Sequence, residues 1–172
     1  MLTIPLSLTL LLSFSVAVAQ TTYAPQNSGD WSSFRNDLNR SGYNEDGGQA
    51  NSAWQLWNFS TSASVWSSPA VVNDRVVVGC KDCHIYCLNA SNGGVLWSFP
   101  TGHEVNSSPV VVDGFVYVGC DDGWVYCVNV SSGQPLWIVK VGGLVRSSAA
   151  VVEGLVYVGS GLSGLFCLNA TD

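Results

Sequence analysis

Ser67-Ser68-Pro69-Ala70-Val71-Val72-Asn73-Asp74-Arg75-Val76-Val77-Val78-Gly79-Cys80 is the stretch that decides the fold. It returns 40 residues later as Ser107-Ser108-Pro109-Val110-Val111-Val112-Asp113-Gly114-Phe115-Val116-Tyr117-Val118-Gly119-Cys120. A third copy runs Ser147-Ser148-Ala149-Ala150-Val151-Val152-Glu153-Gly154-Leu155-Val156-Tyr157-Val158-Gly159-Ser160. Trp57, Trp97 and Trp137 keep the same spacing. A period of this size, free of insertions, marks a chain built from stacked copies of one supersecondary unit.

Each unit reads as four strands. Residues 68–72 form a short apolar run, and Asn73-Asp74 then turns the chain into a second run at 75–80. Later copies place Asp113-Gly114 and Glu153-Gly154 at that turn, and Asp-Gly between apolar runs favours a two-residue hairpin because glycine accepts positive φ. A third strand follows at 84–89, and Asn92-Gly93-Gly94 leads into a fourth at 95–99. Val76-Val77-Val78 is apolar on both faces, so the sheet needs cover on both sides. Four strands in this length is the size of a propeller blade, and stacked blades supply that cover.

The expected fold is therefore all-β: a partial β-propeller over 53–172, with blade units at about 67–99, 107–139 and 147–169. Residues 54–60 match a fourth strand lying ahead of the first unit, and 144–170 supply only three strands. That is about three blades' worth, whereas propeller rings have roughly four to eight. The expectation is a segment of a larger ring, or a chain that completes a ring by homo-oligomerisation.

The chain has 172 residues, 47% of them hydrophobic and 10% charged, with a formal net charge of −6. It can fill a core, and its few Lys and Arg residues never cluster, which argues against a nucleic-acid partner. Residues 1–19 form an apolar stretch ending in Ala17-Val18-Ala19, the small-x-small pattern of a cleaved signal peptide. A lead-in segment, 20–52, separates it from the repeats. The expected location is secreted, periplasmic or cell-surface, with no membrane span after cleavage. Six Asn-x-Ser/Thr sequons, at Asn39, Asn58, Asn89, Asn106, Asn129 and Asn169, fit an exported glycoprotein. Three of them recur at one repeat position, which gives them a structural explanation as well.

The repeats resemble those of the pyrroloquinoline-quinone-like, or quinoprotein-type, β-propellers. That family's blades dock on one another through an Ala-x-Asp-x-x-Thr-Gly-x-x-x-Trp motif. The matching residues are Cys87, Asn89, Asn92, Gly93 and Trp97, then Cys127, Asn129, Ser132, Gly133 and Trp137, and finally Cys167 and Asn169. Asn replaces the motif's Asp, and Cys its Ala. Trp31-Ser32-Ser33-Phe34-Arg35 through Arg40-Ser41-Gly42-Tyr43 is similar to the N-terminal signature of such proteins. The resemblance implies blade docking by Trp57, Trp97, Trp137, Gly93 and Gly133. It does not select a function, because the family contains quinone-dependent dehydrogenases, an outer-membrane assembly lipoprotein and extracellular sensor domains. In the dehydrogenases the quinone sits over the ring axis with a calcium ion, so that cofactor is expected only with a full ring.

Cys80-Lys81-Asp82-Cys83-His84 matches the Cys-x-x-Cys-His pattern of covalent haem attachment, with two thiols for the vinyl groups and an axial histidine. It falls on a hairpin turn whose counterpart is Cys120-Asp121-Asp122-Gly123-Trp124, and His103 is the one other histidine. The expectation is no haem and no metal site. Cys87, Cys127 and Cys167 read as small buried side chains. Cys80 has two candidate disulfide partners, Cys83 across the turn and Cys120 on the next blade, with free thiols as the third possibility. No catalytic constellation is present. Trp66, Asn106 and Arg146 share one repeat position yet differ in type, and a repeat scaffold varies where it recognises something. They are the candidate binding surface, at one end of the ring. The functional expectation is a non-catalytic scaffold for a protein or glycan partner, with a dehydrogenase fragment or an extracellular sensor or assembly factor as the alternatives.

Overall fold

The structure is a computed structural model that describes residues 55–171. The signal-peptide stretch, the lead-in segment and the Asn39 sequon lie outside the described residues.

Eleven strands build three antiparallel sheets, each a meander. The first sheet holds β1 (Ala70–Val72), β2 (Arg75–Cys80), β3 (His84–Asn89) and β4 (Val95–Pro100). The second holds β5 (Val110–Val112), β6 (Phe115–Gly119), β7 (Trp124–Asn129) and β8 (Pro135–Lys140). The third holds β9 (Ala150–Val152), β10 (Leu155–Ser160) and β11 (Gly164–Asn169). The arrangement is an open partial β-propeller, with the short strands β1, β5 and β9 side by side. No helix among the described residues is long and apolar enough to cross a membrane.

The first hairpin of each sheet turns as its sequence demands. Asn73 and Asp74 have φ of 47° and 59°, Asp113 and Gly114 of 50° and 81°, and Glu153 and Gly154 of 50° and 74°. Two successive residues at positive φ are the mark of the type I′ turn, whose twist matches that of the flanking strands.

Two sequence expectations need correction. The innermost strands begin at Ala70, Val110 and Ala150 rather than two residues earlier. Pro69 and Pro109 have no N–H to give a ladder. Two positions before the proline a serine side chain makes the contacts instead: Ser67 Oγ accepts from Gly79 N at 2.8 Å and donates to Gly79 O at 2.9 Å. Ser107 clasps Gly119 and Ser147 clasps Gly159 in the same way. The second correction concerns 54–60. Its described part, 55–60, is not a strand. A fourth strand is held by the third strand of its own sheet, as Trp97 pairs with Cys87 and Trp137 with Cys127. Residues 55–60 have no such neighbour among the described residues, yet Trp57 still occupies its docking place.

The core lies between the sheets. One cluster joins Val77, Ile85 and Cys87 of the first sheet to Val111, Val116 and Val128 of the second. Two more join the second sheet to the third. Docking across these seams is by tryptophan. The indole N–H of Trp97 donates to Val130 O at 2.9 Å, that of Trp137 to Ala170 O at 3.0 Å, and that of Trp57 to Ala90 O at 2.9 Å. Each tryptophan thus reaches the unit that follows it. A Cβ at Gly133 would lie 2.8 Å from Trp97, and one at Gly93 2.6 Å from Trp57, so both glycines are seats for an indole ring.

Candidate functional site

In an antiparallel meander the β2–β3 turn and the segment leading into β1 emerge at the same end, opposite the hairpin turns described above. Trp66, Asn106 and Arg146 lie in the lead-in segments, and Lys81 and Asp121 lie in the β2–β3 and β6–β7 turns. The structure brings all five together, with Glu104, in one chain of side-chain contacts.

The chain starts at Trp66, which is 67% exposed, with the Lys81 ammonium 4.0 Å above its ring. Lys81 also pairs with Glu104 at 3.1 Å. The Asn106 amide donates to Glu104 Oε2 at 3.3 Å and to Asp121 Oδ2 at 2.9 Å. Arg146 closes the run: its Nε and Nη2 grip the two oxygens of Asp121 at 2.7 to 3.1 Å. A planar guanidinium matched to a carboxylate is the strongest of the common ion-pair geometries. The Asp121 side chain is 1% exposed, whereas that of Arg146 is 56% exposed. The buried carboxylate therefore fixes a guanidinium that still faces solvent.

Arg146 and, after it, Asn106 hold the Asp121 carboxyl below the usual aspartate range, against the opposing effect of burial. A depressed carboxyl stabilises the fold above its unfolded value of about 4 and loses that contribution as pH falls through the folded value. Asp121→Asn is therefore expected to lower stability by about 1 to 2 kcal/mol at pH 7, a figure reduced by the exposure of the guanidinium. The deficit should shrink progressively in acid, below the ordinary aspartate range. Urea unfolding of both proteins across that pH range measures it, and a deficit that grows in acid would contradict the assignment.

The sequons divide on this geometry. Asn106 Nδ2, the atom a glycan would occupy, is engaged by two carboxylates. Its orientation is thereby set, which leaves Oδ1 buried with no donor. Asn89 Oδ1 accepts from the backbone of Ser91 and Asn92, and Asn129 Oδ1 from Ser131 and Ser132. Asn169 Oδ1 accepts from Thr171. These side chains cap the turn after the third strand, a role that either Asn or Asp performs. That is why Asn can stand where the family motif has Asp.

In the Cys-x-x-Cys-His stretch the first thiol is enclosed by protein. Cys80 is fully buried, with its thiol directed at Ala63 O and Ser64 O at 3.5 and 3.7 Å. Cys120, which belongs to no such motif, does the same with His103 O and Glu104 O. The position is a structural one, pinning the lead-in segment. His84 Nδ1 contacts Asp82 O at 2.9 Å and its ring stacks on Tyr86. All six cysteines are free, so neither disulfide candidate is formed. Burial pushes the thiols of Cys87 and Cys120 up to about 11 and that of Cys127 up to about 12, which keeps them unreactive. Cys167, expected to be buried like its counterparts, is exposed: Cys87 and Cys127 pack against the following sheet, and among the described residues no sheet follows the third.

A second pairing was missed in the sequence. The Asp82 carboxylate accepts from Ser62 N and the Tyr86 hydroxyl, and Asp122 accepts from Gly102 N and the Tyr126 hydroxyl. The third unit has Leu162 and Phe166 at these positions, so both partners change together. That joint change was the available signal.

A calcium-held quinone needs a convergent set of oxygen ligands for its cation. Among the described residues no three His, Cys, Asp or Glu side chains converge to hold a metal, and Asp121 is already committed to Arg146. The described residues do not fit that group.

No curated protein matches the chain. Among solved structures, it is similar to BamB from Moraxella catarrhalis, with a TM-score of 0.61 and 23% identity over 67% of this chain and 37% of that one. The quinohemoprotein alcohol dehydrogenase of Pseudomonas putida HK5 matches with a TM-score of 0.72 and 20% identity, over 83% of this chain and 25% of that one. The enzyme of the same kind from Comamonas testosteroni gives 0.69 and 19%, over 82% and 25%. The chain thus spans 25% to 37% of the length of these structures, and at such identities the likeness is one of fold. The family model described as outer membrane protein assembly factor BamB matches residues 43–172. With its indole-docked, four-stranded units, the chain belongs to the pyrroloquinoline-quinone-like repeat family of β-propellers.

Proposed function

We propose that this chain is an exported, non-catalytic binding scaffold, and that it engages a protein or glycan partner through the rim formed by Trp66, Lys81, Asn106 and Arg146. The observation that carries this reading is the continuous side-chain run across three sheets at one end. Tryptophan and arginine are the residue types that most often dominate binding energy. Here each is held in place by a neighbour and remains open to solvent.

The test is an array of peptides and oligosaccharides probed with the wild-type chain and with a Trp66→Ala/Arg146→Ala double variant. Ligands retained by the wild type are expected to bind the double variant at least about tenfold more weakly, a loss of about 1.4 kcal/mol. Asp113→Ala, at the opposite end, should bind as the wild type does. Equal retention by the double variant would sink the proposal. The dehydrogenase alternative predicts quinone absorbance when the protein is mixed with pyrroloquinoline quinone and Ca²⁺. On the scaffold reading that mixture is simply additive.

A further inference from the structure

The sequons are not alike in what the fold asks of them. At Asn89 and Asn129 the side-chain oxygen is fully used. Asn89 Oδ1 accepts from Ser91 N at 2.9 Å and Asn92 N at 3.2 Å, and Asn129 Oδ1 accepts from Ser131 N and Ser132 N, each at 3.0 Å. The residue after each asparagine is used as well. Ala90 N donates to Asp74 O, and Ala90 O accepts from the Trp57 indole. Val130 N donates to Gly114 O, and Val130 O accepts from the Trp97 indole.

Two groups in each tripeptide are left over. Nδ2 of Asn89 and of Asn129 donates to no atom of the described residues, and neither nitrogen is enclosed. The Ser91 and Ser131 hydroxyls also make no hydrogen bond there, and both serines are exposed. Aspartate would cap the turn as well as asparagine does, and any residue but proline would offer the backbone N–H that each serine supplies. Yet the unused pair, an amide nitrogen and a hydroxyl two residues on, is what defines an N-glycosylation acceptor.

Asn106 is the contrasting case. Both Nδ2 hydrogens are committed, to Glu104 Oε2 at 3.3 Å and to Asp121 Oδ2 at 2.9 Å. Its sequon hydroxyl, on Ser108, is buried and accepts from Ser68 N at 2.9 Å. A sugar on Nδ2 would leave one N–H for two carboxylates, one of them the buried Asp121, and a buried carboxylate is costly to leave short of donors. The two kinds of sequon also sit at opposite ends. The Asn89 and Asn129 turns lie beside the Asn73-Asp74 and Asp113-Gly114 hairpins, whereas Asn106 belongs to the rim.

We propose that Asn89 and Asn129 carry N-linked oligosaccharides and that Asn106 carries none, so the sugars cover the end opposite the rim. The inference rests on the export reading above. In the transfer, Nδ2 bonds to the anomeric carbon of a lipid-diphosphate-linked oligosaccharide. The bond from that carbon to the diphosphate oxygen breaks, and the lipid diphosphate leaves with the electron pair. One Nδ2 proton passes to a base of the transferase. Oδ1 keeps both of its cap bonds throughout, so the folded turn accepts the modification unchanged.

The test is to express the full chain in a eukaryotic secretory host and recover it from the medium. Peptide N-glycosidase acting in heavy-oxygen water turns each glycosylated asparagine into a labelled aspartate, which peptide mapping locates. Label is expected at Asn89 and Asn129 and not at Asn106. Ser91→Ala and Ser131→Ala remove a hydroxyl and keep the backbone cap. Each variant should therefore fold, leave the cell and lose the mass of one glycan. Secreted protein without label at Asn89 or Asn129, or with label at Asn106, overturns the proposal. So does a secreted variant that loses no mass. Retention in the cytosol with residues 1–19 attached overturns the export reading, and this inference with it.

Discussion

Trp97→Ala is expected to destabilise the chain by about 3 to 4 kcal/mol, the usual cost of removing a large aromatic side chain from a packed site. Three losses combine in this one change. The indole no longer donates to Val130 O, the Gly133 seat is left open, and the ring is withdrawn from the cluster that joins the first two sheets. Trp97→Phe separates these contributions. It keeps most of the apolar surface and forfeits the hydrogen bond, so a loss nearer about 1 to 2 kcal/mol is expected. Urea unfolding followed by circular dichroism measures both. A cost for the alanine variant below about 1 kcal/mol would mean that the indole covers the seam without holding it.

Gly119→Ala and Gly159→Ala make the second contrast, since the two glycines occupy the same repeat position. At Gly119 the added methyl would stand 2.8 Å from the backbone oxygen of Val145. A backbone cannot swing aside as a side chain does, so overpacking should cost about 2 to 3 kcal/mol. At Gly159 the methyl meets the Ser147 hydroxyl at 3.4 Å, an ordinary contact. The expected change in the isolated chain is within about 0.5 kcal/mol. Neither glycine is needed for an unusual φ, so the difference reads packing alone. Thermal unfolding of the two variants decides, and equal losses would refute the difference in packing at the two glycines.

Much of this architecture was legible because the repeat carries its own redundancy. Three copies of Ser-Ser-x, of the hairpin turn and of Val-Gly identify strands by agreement rather than by propensity. The docking tryptophans were legible for the same reason, although only the structure revealed that each reaches the unit after its own. The 54–60 segment misled because its letters are those of a fourth strand. A strand, however, is a relation to a neighbour, and among the described residues that neighbour is absent.

The rim was legible in part. Trp66, Asn106 and Arg146 stood out as unlike residues at one repeat position. Their links run through Lys81, Glu104 and Asp121, which belong to turns of other units or to other positions of the lead-in. No periodicity points to those partners, because the contacts are made once each and not in every unit. The Cys-x-x-Cys-His stretch shows the opposite case, in which a motif is legible as letters and only the structure reveals that its first thiol is buried.

The sequence alone determined the four-stranded unit, its period and the residues that dock one unit on the next. Those properties are local or repeated, and each unit states them afresh. Tertiary structure alone decided that Asp121 is buried beneath Arg146, that Cys80 is sealed under Ala63 and Ser64, and that Val65 and Gly159 are more open among the described residues than their counterparts. Burial and pairing depend on which surfaces stacking brings together, and identical letters meet different surroundings in the middle of a stack and at its faces.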